Sequence, residues 1–249
     1  MVAEWARRAV PLYRDLYAAA PAVLDVAAFR RLPPLTAARL RATPLIDQID
    51  DPNDTLRTFT PYLLQTAESG APLLMDADDA DAHFEQTRDA LALAGVRRGA
   101  TLLVLTPPEQ RYVAAELSDL LGYFGIRVHV LVRRPGAALV RSAAALAPDG
   151  ILGLGRDLPP ALRPSLTVRD PGGTAADLYL VPPAGIVAVR RAGEPSYRVL
   201  TKHVLIEARP GGALLLTALR RFHQPLVRLL LPDRGRVVRG RLWLDEVAP

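Results

Sequence analysis

Residues 80–106 read ADAHFEQTRDALALAGVRRGATLLVLT, and this stretch decides the fold class. Ala80–Ala94 has helical composition, follows the acidic residues Asp76, Asp78 and Asp79, and closes on Gly95, so it reads as a helix with a charged N-terminus and a glycine stop. Thr101–Thr106 is then an apolar run of strand length. The alternation continues with Glu109–Phe124 as a helix closed by Gly125, Arg127–Val132 as a strand, Ala137–Leu146 as a helix and Gly150–Leu154 as a short strand. Strands alternating with helices of this length predict a doubly wound, mostly parallel sheet.

Working outward, residues 4–19 carry an apolar helical stripe of Trp5, Val10, Leu12, Leu16 and Tyr17, which Pro11 splits into two helices. Val23–Arg31 is a further helix, and Thr36 caps another. Residues 50–54 form a loop, and Tyr62–Thr66 with Pro72–Met75 reads as a hairpin-like pair. Downstream, Pro159, Pro160, Pro164, Pro171 and Gly172-Gly173 mark a linker. Ile186–Arg190, Val199–Ala208, Ala213–Ala218, Leu226–Leu231 and Arg236–Leu244 then predict a small antiparallel β-subdomain. The expected organisation is an N-terminal helical segment over 1–55, an α/β subdomain over 56–156, a linker over 157–176 and a β-rich subdomain over 177–249.

The 249 residues are 50% hydrophobic and 23% charged, an ordinary globular composition able to bury a sizeable core. There is no cysteine, which removes disulfides, thiolate metal sites and cysteine nucleophiles and suits a reducing cytoplasm. The N-terminus lacks the apolar core of a signal peptide, and no segment reaches the ~18 consecutive apolar residues of a membrane span. We expect a soluble cytoplasmic protein without membrane partners. Lys202 is the sole lysine, so chemistry requiring a mobile ammonium has one candidate. Asp47, Asp50, Asp51 and Asp54, then Asp76, Asp78, Asp79 and Asp81, make the first half locally acidic; from Arg190 to Arg241 only Glu194, Glu207 and Asp233 oppose the arginines. No aromatic stacking pattern or nucleic-acid motif accompanies those arginines, which argues against a nucleic-acid partner and for solvated or intramolecularly paired faces.

Gly153-Leu-Gly155 lacks the third glycine and the following helix of a dinucleotide fingerprint, and a strand-ending turn explains it. No Walker lysine, GxSxG or HExxH pattern occurs, and the four histidines have no metal-ligand spacing. His129 falls within a strand and reads as structural; His203 beside Lys202 and His223 beside Arg220-Arg221 are the better site candidates. Tyr179 serves packing or proton transfer.

Three stretches, in order, resemble the phenylacetate–coenzyme A ligase branch of the adenylate-forming enzymes. Val10-Pro-Leu-Tyr-Arg-Asp-Leu-Tyr17 and Leu32-Pro-Pro-Leu-Thr-Ala-Ala-Arg-Leu40 resemble its VPxYR opening and LPxxTKxDLR segment, with Ala37 where the lysine is usual. The helix–Gly95-Val-Arg-Arg-Gly99–strand order and Phe124-Gly-Ile-Arg-Val-His-Val130 resemble its first nucleotide-fold subdomain. Gly212-Ala-Leu-Leu-Leu-Thr-Ala-Leu219 with Gln224-Pro-Leu-Val-Arg228 resembles its GELVLTxL…xPLIRYxTGD subdomain.

The departures fall on ATP chemistry. Against the family's SSGTTGxP phosphate turn stands Thr66-Ala-Glu-Ser-Gly-Ala-Pro72: Ser69, Gly70 and Pro72 remain, a Gly and a Thr are gone, and Glu68 adds a charge that repels phosphate. The YGxTE segment, whose acid helps hold magnesium, is matched by Tyr179-Leu-Val-Pro-Pro183. Asp233 stands roughly for the ribose-gripping aspartate of TGD, in shifted context. A long family segment is cut between Gly155 and Asp177, and the matching part of the chain stops short of the lysine-bearing C-terminal domain.

The resemblance therefore implies a truncated, degenerate ligase scaffold that uses no ATP, no cofactor and no metal. Its aromatic-carboxylate pocket would serve a tailoring enzyme acting on an aromatic, polyketide-derived compound in secondary metabolism, such as antibiotic biosynthesis. His203, His223 and Tyr179 would move protons, and Arg220, Arg228 and Asp233 would hold the ligand. The alternatives are a non-catalytic accessory or scaffold subunit and a partial ligase completed by a partner chain. Apolar surface uncovered by the missing segment predicts a homodimer through the edge near Gly155–Asp177 or through the β-subdomain.

Overall fold

The computed structural model describes residues 2–23, 25–50, 74–106, 108, 111–132, 148–153, 165–168 and 175–245. The phosphate-turn residues Thr66, Glu68, Ser69, Gly70 and Pro72, the expected strand over 62–66, the expected helix over 137–146, and Gly155 lie outside them. The helices are α1 (Val2–Ala9), α2 (Pro11–Leu16), α3 (Val26–Arg31), α4 (Ala37–Ala42), α5 (Ala77–Ala94) and α6 (Arg111–Tyr123). The strands are β1 (Thr101–Thr106), β2 (Arg127–Val132), β3 (Gly150–Gly153), β4 (Ser165–Val168), β5 (Ala175–Val181), β6 (Gly185–Arg191), β7 (Tyr197–Val199), β8 (Val204–Ala208), β9 (Ala213–Ala218), β10 (Leu229–Val238) and β11 (Arg241–Leu244). The chain forms two compact units, one of residues 1–63, 68–83 and 201–249, the other of 64–67 and 84–200.

In the second unit β1 pairs in parallel with β2 and with β3, and β3 through β7 continue as an antiparallel series. The strand β1 is buried along Leu102–Thr106, as a central strand with both faces covered must be. Two glycines in the left-handed region end its helices. Gly95 has φ +85, with the Val96 amide donating to the Leu91 carbonyl at 2.9 Å, and Gly125 has φ +72, with the Ile126 amide donating to the Leu121 carbonyl at 3.1 Å. The Arg191 Nε donates to the Leu93 carbonyl at 2.7 Å, a cation at a helix C-terminus. His129, read from sequence as structural, is exposed instead: β2 is the outermost described strand and leaves its faces partly open. Where a linker was expected, β4 pairs with β3 and β5. The run Ser165-Leu-Thr-Val168 is short and flanked by Pro164 and Pro171, so the prolines outweighed a strand of only four residues in the sequence reading.

In the first unit β8, β9, β10 and β11 form antiparallel neighbours. The break between α1 and α2 falls at Pro11, as its missing amide dictates. The Asp25 and Thr36 side chains accept from the Ala28 and Arg39 amides and start α3 and α4. Leu12, Tyr13, Tyr17, Leu35, Leu214, Leu215, Leu216, Leu226 and Val227 are buried, each apolar side chain contributing roughly 1.5–3 kcal/mol relative to exposure. The strand expected over Val199–Ala208 is two strands, because residues 200–203 turn between β7 and β8. The β-rich stretch 177–249 is shared between the units, with β5–β7 in one and β8–β11 in the other.

Two glycines respond oppositely to an added methyl. A Cβ on Gly235 in β10 collides with the Trp243 carbonyl, whereas one on Gly122 in α6 meets nothing within 4 Å. Gly235→Ala should cost about 3 kcal/mol in urea unfolding, and Gly122→Ala should gain about 0.5–1 kcal/mol.

Candidate functional site

Residues 221–228 are irregular, and all but Phe222 are buried. Buried backbone without helix or sheet partners must bond to side chains or to distant backbone. Asp79, at the start of α5, accepts the Phe222 amide at 2.8 Å and the His223 amide at 3.2 Å, and the Gln224 amide also bonds to it. Burial raises the Asp79 carboxyl above its usual value, while the Phe222 and Gln224 amides and Arg221 oppose the rise and Asp76 adds to it. The Tyr13 hydroxyl donates to the Pro225 carbonyl at 2.8 Å and accepts the Val227 amide at 2.9 Å. The Thr217 hydroxyl takes the Arg228 amide at 3.0 Å, and the Arg228 carbonyl takes the Leu35 amide at 3.0 Å. The His223 carbonyl accepts the Asp50 amide at 2.8 Å. The Gln224 Oε1 accepts the Leu74 amide at 2.7 Å, and its Nε2 donates at 3.0 Å to Gln48 Oε1.

Several of the sequence candidates lie in or near this loop. His223 is buried within it, and His203 is buried where its carbonyl accepts the Leu219 amide at 2.8 Å. Arg220 is exposed at its start, and Asp233 is half-buried further along β10. Arg228 is turned inward: its Nη1 donates to the Phe29 carbonyl at 2.6 Å, lies 3.6 Å from Glu207 and the guanidinium sits 5.5 Å from the Phe29 ring. Its backbone is left-handed, with φ +53, a conformation costing an L-residue about 1 kcal/mol and held here by packing. Tyr179 belongs to the other unit, where it lies 6.1 Å from the Tyr197 ring.

Sequence reasoning missed Asp79, Gln48, Gln224, Tyr13, Glu207 and His83. Asp79 was hidden in an acidic run that equally suited a helix N-terminus, and its neighbour Asp78 is exposed. Tyr13 did carry a signal, as the tyrosine of the VPxYR match. The His83 imidazole is pushed down to about 3, chiefly by burial and further by Arg221, so it is neutral at physiological pH. In the other unit, Gln86 donates to the Ala184 and Ile186 carbonyls at 2.7 and 2.8 Å, holding the 3₁₀ turn Pro182–Ala184 that stands where the resemblance places a magnesium-binding acid. Pro182-Pro183 supplies no carboxylate there, and among the described residues no group of three His, Asp or Glu side chains is placed to hold a metal. No described helix is long and apolar enough to cross a membrane. Phe222 exposes its ring and meets Trp5 edge-on at 5.4 Å.

Asp79→Ala leaves the Phe222, His223 and Gln224 amides without their acceptor and should cost about 3 kcal/mol in denaturant unfolding. Folded His83 stays neutral down to about pH 3, while the unfolded chain protonates it near 6.5. The unfolded state therefore binds the extra proton, and stability falls as the pH drops below about 6.5, by at most about 1.4 kcal/mol per pH unit. Urea titrations of His83→Gln between about pH 7 and pH 5 should show a flatter limb than the parent.

No family model matches the sequence, and no curated protein is recognisably similar to it. Solved structures are similar. The 2-hydroxyisobutyryl-CoA ligase in its postadenylation state, in complex with 2-HIB-AMP, aligns with a TM-score of 0.69 and 15% identity over 98% of this chain and 64% of that one. Its thioesterification state with 2-HIB-AMP and CoA aligns at 0.65 with 14% identity over 98% and 64%, and an open conformation at 0.65 with 15% identity over 98% and 70%. This chain thus spans 64% of the length of the first of those structures and has the mixed α/β fold of adenylate-forming acyl-CoA ligases.

Proposed function

We propose that this protein is a ligase-fold binding protein that holds an aromatic compound of secondary metabolism without adenylating it. One observation carries the reading: the polar side chains of the segments that resemble the phenylacetate–coenzyme A ligases, Tyr13, Thr217, Gln224 and Arg228, bond to the protein's own interior. The donors and acceptors engaged in these bonds are not available to phosphate or acyl oxygens. The sequence departures support the same conclusion. Glu68 replaces a neutral residue in the phosphate turn, and prolines replace the magnesium acid. Lys202 is exposed in the turn before β8, in the β-rich stretch and not in a segment resembling the family's lysine-bearing domain.

Burial of His203 and His223 favours an accessory role over catalysis. A tailoring enzyme is the second reading. It is favoured by two exposed residues two positions apart in the chain, Phe222 and Arg220, an aromatic ring and a cation of the kinds that suit an aromatic acid.

ATP–pyrophosphate exchange separates these readings from a working ligase. With a panel of aryl acids the protein should give no exchange above background, and exchange that depends on the acid would contradict the proposal. If it is a tailoring enzyme, a hydroxylated aromatic acid is converted and His223→Asn abolishes the conversion while the melting temperature holds.

A further inference from the structure

The Arg228–Glu207 pair carries a second feature. Arg228 is 3% exposed and Glu207 12%, and their closest approach is 3.6 Å, between Nη1 and Oε1. The Nε of Arg228 and the Oε2 of Glu207 are both buried and have no hydrogen-bond partner among the described residues. The Tyr17 hydroxyl interacts electrostatically with both side chains and reaches the Val227 carbonyl only at 3.5 Å. A buried ion pair thus keeps one donor on Arg228 without an acceptor and one acceptor on Glu207 without a donor, and a weakly bonded hydroxyl interacts with both residues. Leaving a buried polar atom unmet is costly, and native interiors hold few such atoms.

What fills such a place is fixed by its hydrogen-bond signs. The occupant must accept from the Arg228 N–H and donate to the Glu207 oxygen. A carboxylate or phosphate can only accept, and it meets Glu207 as like charge. An ammonium can only donate, and it meets Arg228, with Arg30 and Arg209 also contributing positive potential there. A hydroxyl oxygen does both with one atom. Arg228 is fixed for this by its other bonds, to the Phe29 carbonyl through Nη1 and to Thr217 and Leu35 through its backbone. Glu207, on β8, keeps a partly open side toward solvent.

We infer that Arg228 and Glu207 form a binding site for the hydroxyl group of a small neutral ligand, a phenol or alcohol rather than a carboxylate. The guanidinium already has a carboxylate in Glu207, so on this reading Arg228 holds the ligand through a hydroxyl. The inference rests on the ligand-binding reading above only for the nature of the molecule that carries the hydroxyl. Pyrophosphate exchange and hydroxyl binding are measured separately and can fail separately.

The test is a thermal-shift titration with phenol, benzoate and inorganic phosphate in parallel, at concentrations that do not denature. Phenol should raise the melting temperature saturably, by roughly 3–5 °C at ten times its dissociation constant. Benzoate and phosphate should not. Glu207→Leu removes the acceptor and should abolish the phenol response. If that variant does not fold, amide chemical shifts of the parent protein serve instead: phenol should perturb Phe29, Thr217 and Arg228 first. Absence of any phenol response, which would mean an internal water only, overturns the inference. So does an equal response to benzoate, or perturbation confined to other residues.

Discussion

A buried stretch of chain with no regular structure is the constraint on which the first unit is built. Between Arg221 and Arg228 the backbone runs through the interior as neither helix nor strand, so its amides and carbonyls depend on partners brought from elsewhere. Those partners come from widely separated parts of the unit's sequence: Tyr13 from α2, Leu35 before α4, Asp50 after a 3₁₀ turn over Leu45–Gln48, Asp79 from α5 and Thr217 from β9. Side chains and backbone from five distant segments must therefore be in place before this loop can be buried. Such a loop acts as a keystone, and loss of one partner leaves an amide or carbonyl stranded.

This account explains why the ligase resemblance is strongest where it is. The VPxYR tyrosine and the xPLxR segment are 212 and 214 residues apart at their contacts, and they bond to each other. Their joint presence reflects a shared architecture more than a shared reaction. Arg228 makes the point sharply. A guanidinium has a planar set of donors and tolerates an aromatic neighbour, so it can brace a carbonyl, face a carboxylate and lie against Phe29 at once. Lysine could not satisfy all three geometries. Within the protein, Arg228 faces the carboxylate of Glu207 on β8.

Regular elements were readable because their signals are local. Thr36 and its capping bond, the Pro11 break, the glycine stops at Gly95 and Gly125 and the apolar run of β1 each depend on a few adjacent residues. The interior polar contacts were not readable, because they join residues far apart in sequence. Asp79 differs from Asp78 only in which way the helix turns it, and Gln48 and Gln224 announce nothing until the chain brings them together. Strand β4 was lost to a competing local signal, its flanking prolines. The histidines were named for their basic neighbours, yet His203 and His223 are buried, which sequence adjacency does not reveal.

Amide hydrogen exchange of residues 222–228, with and without MgATP and an aryl acid, tests the keystone directly. If the loop is architecture, the amides of Phe222, His223, Val227 and Arg228 exchange as slowly as those of β9 and are unchanged by nucleotide. Rapid exchange that slows only when nucleotide and acid are added would show a loop ordered by substrate, and would contradict the account.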